Sequence, residues 1–125
     1  MSDQAERLKE RTMQFALDVC SLIGLLPSWE PGPTVCRQLA KASTSVAFSY
    51  RASCRARSPA EFTAKIGTVA EESDESLGWL EFIEAPQLIV GSADLPRLAA
   101  EARELLAIFS ASFGTARRRN RKKRT

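Results

Sequence analysis

Histidine is absent from all 125 residues, and that gap removes much chemistry at once. The commonest general base, the Ser–His and Cys–His nucleophile pairs, and most zinc or di-iron sites depend on imidazole. Cysteine is scarce as well. Cys20, Cys36 and Cys54 lie far apart with no C-x-x-C spacing, and they read as small buried thiols in a reducing compartment. No apolar run approaches the ~20 residues a membrane-spanning helix needs. The first six residues, Met1 to Glu6, are polar and acidic, unlike a signal peptide. A phosphate-binding glycine loop, a metal-ligand cluster and a nucleophile motif are all missing. The expectation is a cytoplasmic protein with no cofactor, no metal site and no membrane contact, and an enzyme is the least supported class.

What is present is helical periodicity. Asp3 reads as the first cap, with Glu6 three residues on, and an apolar stripe follows at Leu8, Thr12, Phe15, Val19, Leu22 and Leu26. Pro27 ends that helix, and Pro27 to Pro33 forms a stiff reversal with Trp29 expected to lid the core. A second helix is predicted from about Pro33 to Ala56, with Val35, Leu39, Val46 and Tyr50 inward. Ser58-Pro59-Ala60-Glu61 then has the form of a helix start: cap, proline at the first position, carboxylate at the third. Phe62, Ile66, Val69, Ser73, Ser76, Leu80 and Ile83 follow in strict alternation of fours and threes, a heptad seam. After Pro86 and the break at Val90 to Ala93, Asp94 begins a fourth helix. Its stripe is Leu98, Ala102, Leu105, Phe109 and Ser112, and Gly114 loosens its end. The fold class expected is all-α, an antiparallel up-down-up-down four-helix bundle over residues 1–116, with a disordered basic tail over 117–125.

The second helix is built from small residues. From Ala40 to Ala56 only Lys41, Val46, Phe48, Tyr50, Arg51 and Arg55 are not Ala, Ser, Thr or Cys. Small residues on every face permit close approach from more than one side, so either a second subunit packs there or they fill a solvated face. Phe48 points away from the Val46/Tyr50 stripe and favours an interface, with Arg51 and Arg55 beside it. Arg51, Arg55 and Arg57 also crowd a helix C-terminus, where cations offset the unpaired carbonyls. Glu71, Glu72, Asp74 and Glu75 point around the third helix instead of converging, as a solvated or salt-bridged face does.

Charge divides the chain. Arg117, Arg118, Arg119, Arg121, Lys122, Lys123 and Arg124 form a run of seven bases with no acid, out of 18 bases in the chain. The remaining 11 bases and 15 acids give the body a charge of −4.

The run from Thr44 to Ser58, followed by Ala60-Glu61-Phe62, Glu71 to Ser76, Trp79-Leu80-Glu81 and Glu104 to Phe109, resembles the signature of the "four helix bundle protein" family. These proteins are also called the 23S ribosomal-RNA intervening-sequence proteins. The resemblance extends from the first helix to Ala116. Phe48 and Ser49 depart from it, standing where a small residue and Asn are the family pattern. The resemblance implies an up-down bundle assembled as a ring-like homopentamer with no established enzymatic activity. Some family members are encoded within ribosomal RNA genes. A similar bundle is the accessory protein of diversity-generating retroelements, where it binds reverse transcriptase and RNA.

Two function classes therefore stand ahead of an enzyme. One is an oligomeric module that binds RNA or DNA through the tail, whose charges can displace counterions from phosphates without sequence preference. No aromatic residue lies within Arg117 to Thr125, so the tail itself offers no base stacking. The other is a protein-interaction hub presenting the acidic third helix or the basic rim. Arg51, Arg55 and Arg57 are the rival phosphate site on the bundle.

Overall fold

Two serines fix where two helices begin. In the computed structural model, which describes residues 2–124 (the side chain of Arg124 excepted), Ser2 Oγ accepts a hydrogen bond from Ala5 N at 3.1 Å. Ser58 Oγ accepts one from Glu61 N, also at 3.1 Å. Each satisfies a first-turn N–H that has no partner within its own helix. The first helix, α1 (Asp3–Leu22), starts at Asp3 as expected, but its cap is Ser2 and not Asp3, because Ser2 holds the extended backbone a cap requires.

A single 3₁₀ turn, Ile23–Leu25, follows α1, and the chain reverses before α2 (Gly32–Ser53). Glycine is required at 32, where an added Cβ would collide with the Pro27 carbonyl. The expected end of α2 at Ala56 is corrected to Ser53. Arg55 N and Ala56 N bond instead to the carbonyls three residues back, Ala52 and Ser53, at 3.0 and 3.2 Å, which tightens the chain into the turn. The Ser58 cap and Pro59 then open α3 (Pro59–Glu84). Its end is a tight stop: Leu88 N donates to Ile83 O at 3.1 Å, with Gln87 in the left-handed region at φ 54°. The last helix, α4, spans Asp94–Arg124.

The four helices pack in sequence order as an up-down-up-down bundle. The predicted stripes are the core. Phe15, Val19, Leu39, Val46, Val69, Leu80, Leu105 and Phe109 are all buried, as are the seam serines Ser73 and Ser76. These hydroxyls carry no orphan polar atom into the core, because Ser73 Oγ donates to Val69 O at 2.8 Å and Ser76 Oγ to Glu72 O at 2.9 Å. Small seam residues let α3 approach its neighbours closely, and the same logic accounts for much of α2. Ala42, Ser43, Ala47 and Ser53 are buried between this chain's own helices.

The pairing of α1 with α4 is the most sparing and relies on charge. Arg11 makes a two-pronged bond to Glu101, Nε to Oε2 at 2.7 Å and Nη2 to Oε1 at 2.6 Å, with Glu104 at 3.2 Å. Further along, Arg97 spans Asp18 at 3.2 Å and Asp94 at 3.0 Å. Hydrogen bonding to Glu101 is the main cause holding the Arg11 guanidinium pKa above its ordinary value.

Three expectations need correction. Residues 117–124 are not a disordered tail; α4 runs through them without a break. One helical glycine, Gly114, costs only about 1 kcal/mol, and side-chain anchors described below outweigh it. Trp29 does not lid the core, since it is 70% exposed in the reversal between α1 and α2. Among the cysteines Cys20 is exposed and Cys36 half-buried, both off their helices' inward stripes, while Cys54, just past the end of α2, is half-buried against the core. No helix among the described residues is long and apolar enough to cross a membrane.

Candidate nucleic-acid interface

The basic run acquires its position from residues that are not basic. Phe113, Ala116 and Asn120 continue the α4 stripe from Phe109 at spacings of four, three and four. Phe113 lies against Gly67 of α3, where an added Cβ would approach Phe113 Cε1 to 2.9 Å. One helical turn and more beyond, Asn120 Nδ2 donates to Thr63 Oγ1 at 2.6 Å and to Pro59 O at 3.2 Å. The Arg117 guanidinium sits over the Phe113 ring, 5.2 Å from its centroid. These contacts hold the last turns of α4 along the first turns of α3.

Helical register then sorts the cations onto two faces. Arg119, Lys122 and Lys123 line a groove of about 960 Å³ between α4, the α2–α3 turn and the start of α1. Arg117, Arg118 and Arg121 are exposed and do not line it. Arg124, also expected at the site, belongs to α4, and its side chain lies outside the described residues.

The groove is mixed in character. Its apolar lining includes Phe62, Pro59 and Tyr50, and its cations include Arg57 from the α2–α3 turn. Tyr50 is held rigidly, its ring 5.1 Å from that of Phe109 and tilted by 41°. Burial, then a hydrogen bond with Cys54, pushes the Tyr50 phenol pKa up, so it remains neutral. Arg57 has one carboxylate neighbour, Glu61 at 3.4 Å, but its side chain is 89% exposed, so that pair is heavily screened. Arg119 and Lys123 form no ion pair with a carboxylate among the described residues. A smaller hollow of about 340 Å³ adjoins the groove and shares Phe62, Ala116 and Arg119 with it.

The rival phosphate site is divided by the structure. Arg57 joins the groove with the basic run, while Arg51 lies in the last turn of α2 and Arg55 in the turn beyond it, and neither lines the groove. Arg51 follows Phe48, which is 57% exposed, at a spacing of three on an exposed face of α2, and Arg55 is exposed just past the helix end. Sequence reasoning missed the groove itself, and missed Asn120, Phe62 and Phe113 as the residues that form and position it. The signal is present in the sequence: Phe113 flanks the α4 stripe beside Ser112, and the period continues through Ala116 and Asn120. At the opposite end of the bundle Leu25, Trp29, Phe82 and Val90 are exposed, with Trp79 and Phe82 edge to face at 5.5 Å. Among the described residues no three His, Cys, Asp or Glu side chains gather as a metal site would require.

No family model matches the sequence, and no curated protein does either. Among solved structures, the chain is similar to a protein of unknown function from the S23 ribosomal protein family of Bacteroides thetaiotaomicron. The TM-score is 0.75 at 20% identity, over 85% of this chain and 97% of that one. The likeness establishes a common helical-bundle fold.

Proposed function

We propose that this protein is a non-enzymatic, homo-oligomeric accessory module that binds nucleic acid, RNA in particular, through the basic end of α4. One observation carries the reading. The bases from Arg117 to Lys123 are held on an ordered helix against the bundle by Asn120 and Phe113, so their field has a fixed position. A body of charge −4 repels phosphate elsewhere and leaves this end as the attractive one. The resemblance to the 23S ribosomal-RNA intervening-sequence proteins, and a bundle of the same fold in the S23 ribosomal protein family, support RNA as the nucleic acid. Fold likeness alone does not fix function, so the charge geometry has the greater weight.

The oligomer belongs to the same reading. Phe48 and Arg51 on an exposed face of α2, with Arg55 just past its end, form the proposed subunit contact, and the resemblance favours a pentamer. Five such chains would bring 35 basic side chains from Arg117–Arg124 onto one particle (seven per chain), and weak contacts would then act through avidity. The test is RNA binding by wild type and by a variant with Arg117, Arg118, Arg119, Arg121, Lys122 and Lys123 all changed to Gln. This substitution keeps Asn120 and the helix, which a truncation would not. Loss of binding with helicity and particle mass intact supports the reading; unchanged binding refutes it.

A protein-interaction hub is the second reading, and the apolar end around Trp29, Leu25 and Phe82 favours it. Partners that persist after nuclease treatment of a purified complex would decide for the hub.

A further inference from the structure

We infer that the groove between α4 and the α2–α3 turn is a binding site for single-stranded nucleic acid, taking an unpaired base against Phe62 and its phosphates between Arg57, Arg119 and Lys123. The inference rests on the nucleic-acid reading above and narrows it to a ligand class and a face. A basic helix by itself would serve a duplex or a single strand alike, because it reads only phosphate charge. The groove adds shape and chemistry to that charge.

It is an open groove of about 960 Å³, roomy enough for a nucleotide, and a duplex, whose base faces are stacked and paired, has no free base to place there. An extended strand does. Phe62 is half-buried, packed on the core on one side while bordering both hollows, so its ring offers a fixed, partly wetted apolar surface. Tyr50, braced on Phe109, and Pro59 stiffen the surrounding wall. Base stacking on such surfaces tolerates any sequence, because every base has a π-face.

The cations are placed for the backbone of that strand. Arg57 comes from the turn and Arg119 and Lys123 from successive turns of α4, so positive charge borders the groove on two sides. Asn120, between Arg119 and Lys123 in register, is tied to Thr63 and Pro59, which fixes the separation of the two walls. The adjoining hollow beyond Phe62 and Arg119, about 340 Å³, extends the path by room for a neighbouring nucleotide. Arg118 and Arg121 line neither hollow, and Arg117 is engaged over the Phe113 ring.

The test compares two double variants of the full chain that remove equal charge: Arg119→Gln/Lys123→Gln in the groove and Arg118→Gln/Arg121→Gln outside it. Probes are a 12-nucleotide RNA, the DNA strand of the same sequence, the duplex of each, and a strand with abasic sites. The single strands should bind more tightly than their duplexes, and the tighter of the two strands names the natural ligand. The groove variant should lose about tenfold or more of that affinity and the outer variant far less. Phe62→Leu, which keeps apolar volume without a ring face, should lose about tenfold on the strand and nothing on the abasic probe. Equal losses from both double variants, or duplex bound as tightly as strand, would overturn the groove while leaving the basic-helix reading intact. Absence of binding by wild type would remove both.

Discussion

The Phe113 ring occupies the space that a side chain at Gly67 would fill, with Cε1 only 2.9 Å from where that Cβ would stand. This fit seats the last third of α4 on α3, and through it the whole basic run. An aromatic ring cannot fold aside as a lysine tip can, so the position tolerates little. Gly67→Leu should cost about 1–3 kcal/mol through overpacking and should lift Phe113, and the turns beyond it, from the bundle. Denaturant unfolding and the loss of helical circular dichroism would register both effects, and an unchanged midpoint would show that the ring has room.

The heptad seam gives the second expectation. Leu80 is fully buried, so Leu80→Ala should cost about 2–5 kcal/mol and Leu80→Asp should unfold the chain. Lys41, exposed on α2, should tolerate Ala at a cost of about 0.5 kcal/mol or less. Equal melting temperatures for the two alanine variants would contradict the register.

Charge closes the α1–α4 pairing, and salt should therefore weaken it. Arg11 is 34% exposed, so replacing it with Met, which keeps the stem but not the fork, should cost about 1 kcal/mol after screening. The loss should shrink between 0.05 and about 1 M salt, where the screening length falls to about 3 Å. A penalty that does not vary with salt would assign it to packing.

Acid should help one residue. Burial, then the neighbouring Glu75, pushes the Glu72 carboxyl pKa above its ordinary 4.5, with Lys41 opposing. The folded chain then binds that proton more tightly than the unfolded chain, so Glu72 costs stability above its folded pKa, and the cost disappears as pH falls through that value toward 4.5. Glu72→Gln should raise the melting temperature at pH 7 by about 1–2 °C and leave it unchanged near pH 4. A gain that persists in acid would contradict the assignment.

How much could be read in advance follows from which residues repeat. Phe62, Ile66, Val69, Leu80 and Ile83 recur at heptad spacing, and that alone specified α3 and the face it buries. The Ser58 cap and Pro59 marked its start because both act locally. The fate of residues 117–124 was not legible in their charge, which reads the same in a coil or a helix. It depended on Asn120 reaching Thr63, 57 positions earlier in the chain, and on a glycine opposite Phe113. The groove was hidden for the same reason. Arg57 and Arg119 meet only because α3 runs back along α4, so a reading that took them as rivals could not see them as one site.

The central claim is that nucleic acid engages the basic end of α4, and its salt dependence is the most direct measure. Affinity for a generic single-stranded RNA should be followed across a salt series for wild type and for the variant with Arg117, Arg118, Arg119, Arg121, Lys122 and Lys123 changed to Gln. Each engaged cation contributes about −0.7 to the slope of log affinity against log salt for a single strand. Wild type should show a steep slope, and the variant should bind weakly with a slope shallower by several such increments. Equal affinity and equal slope in the two proteins would place the contact elsewhere on the bundle.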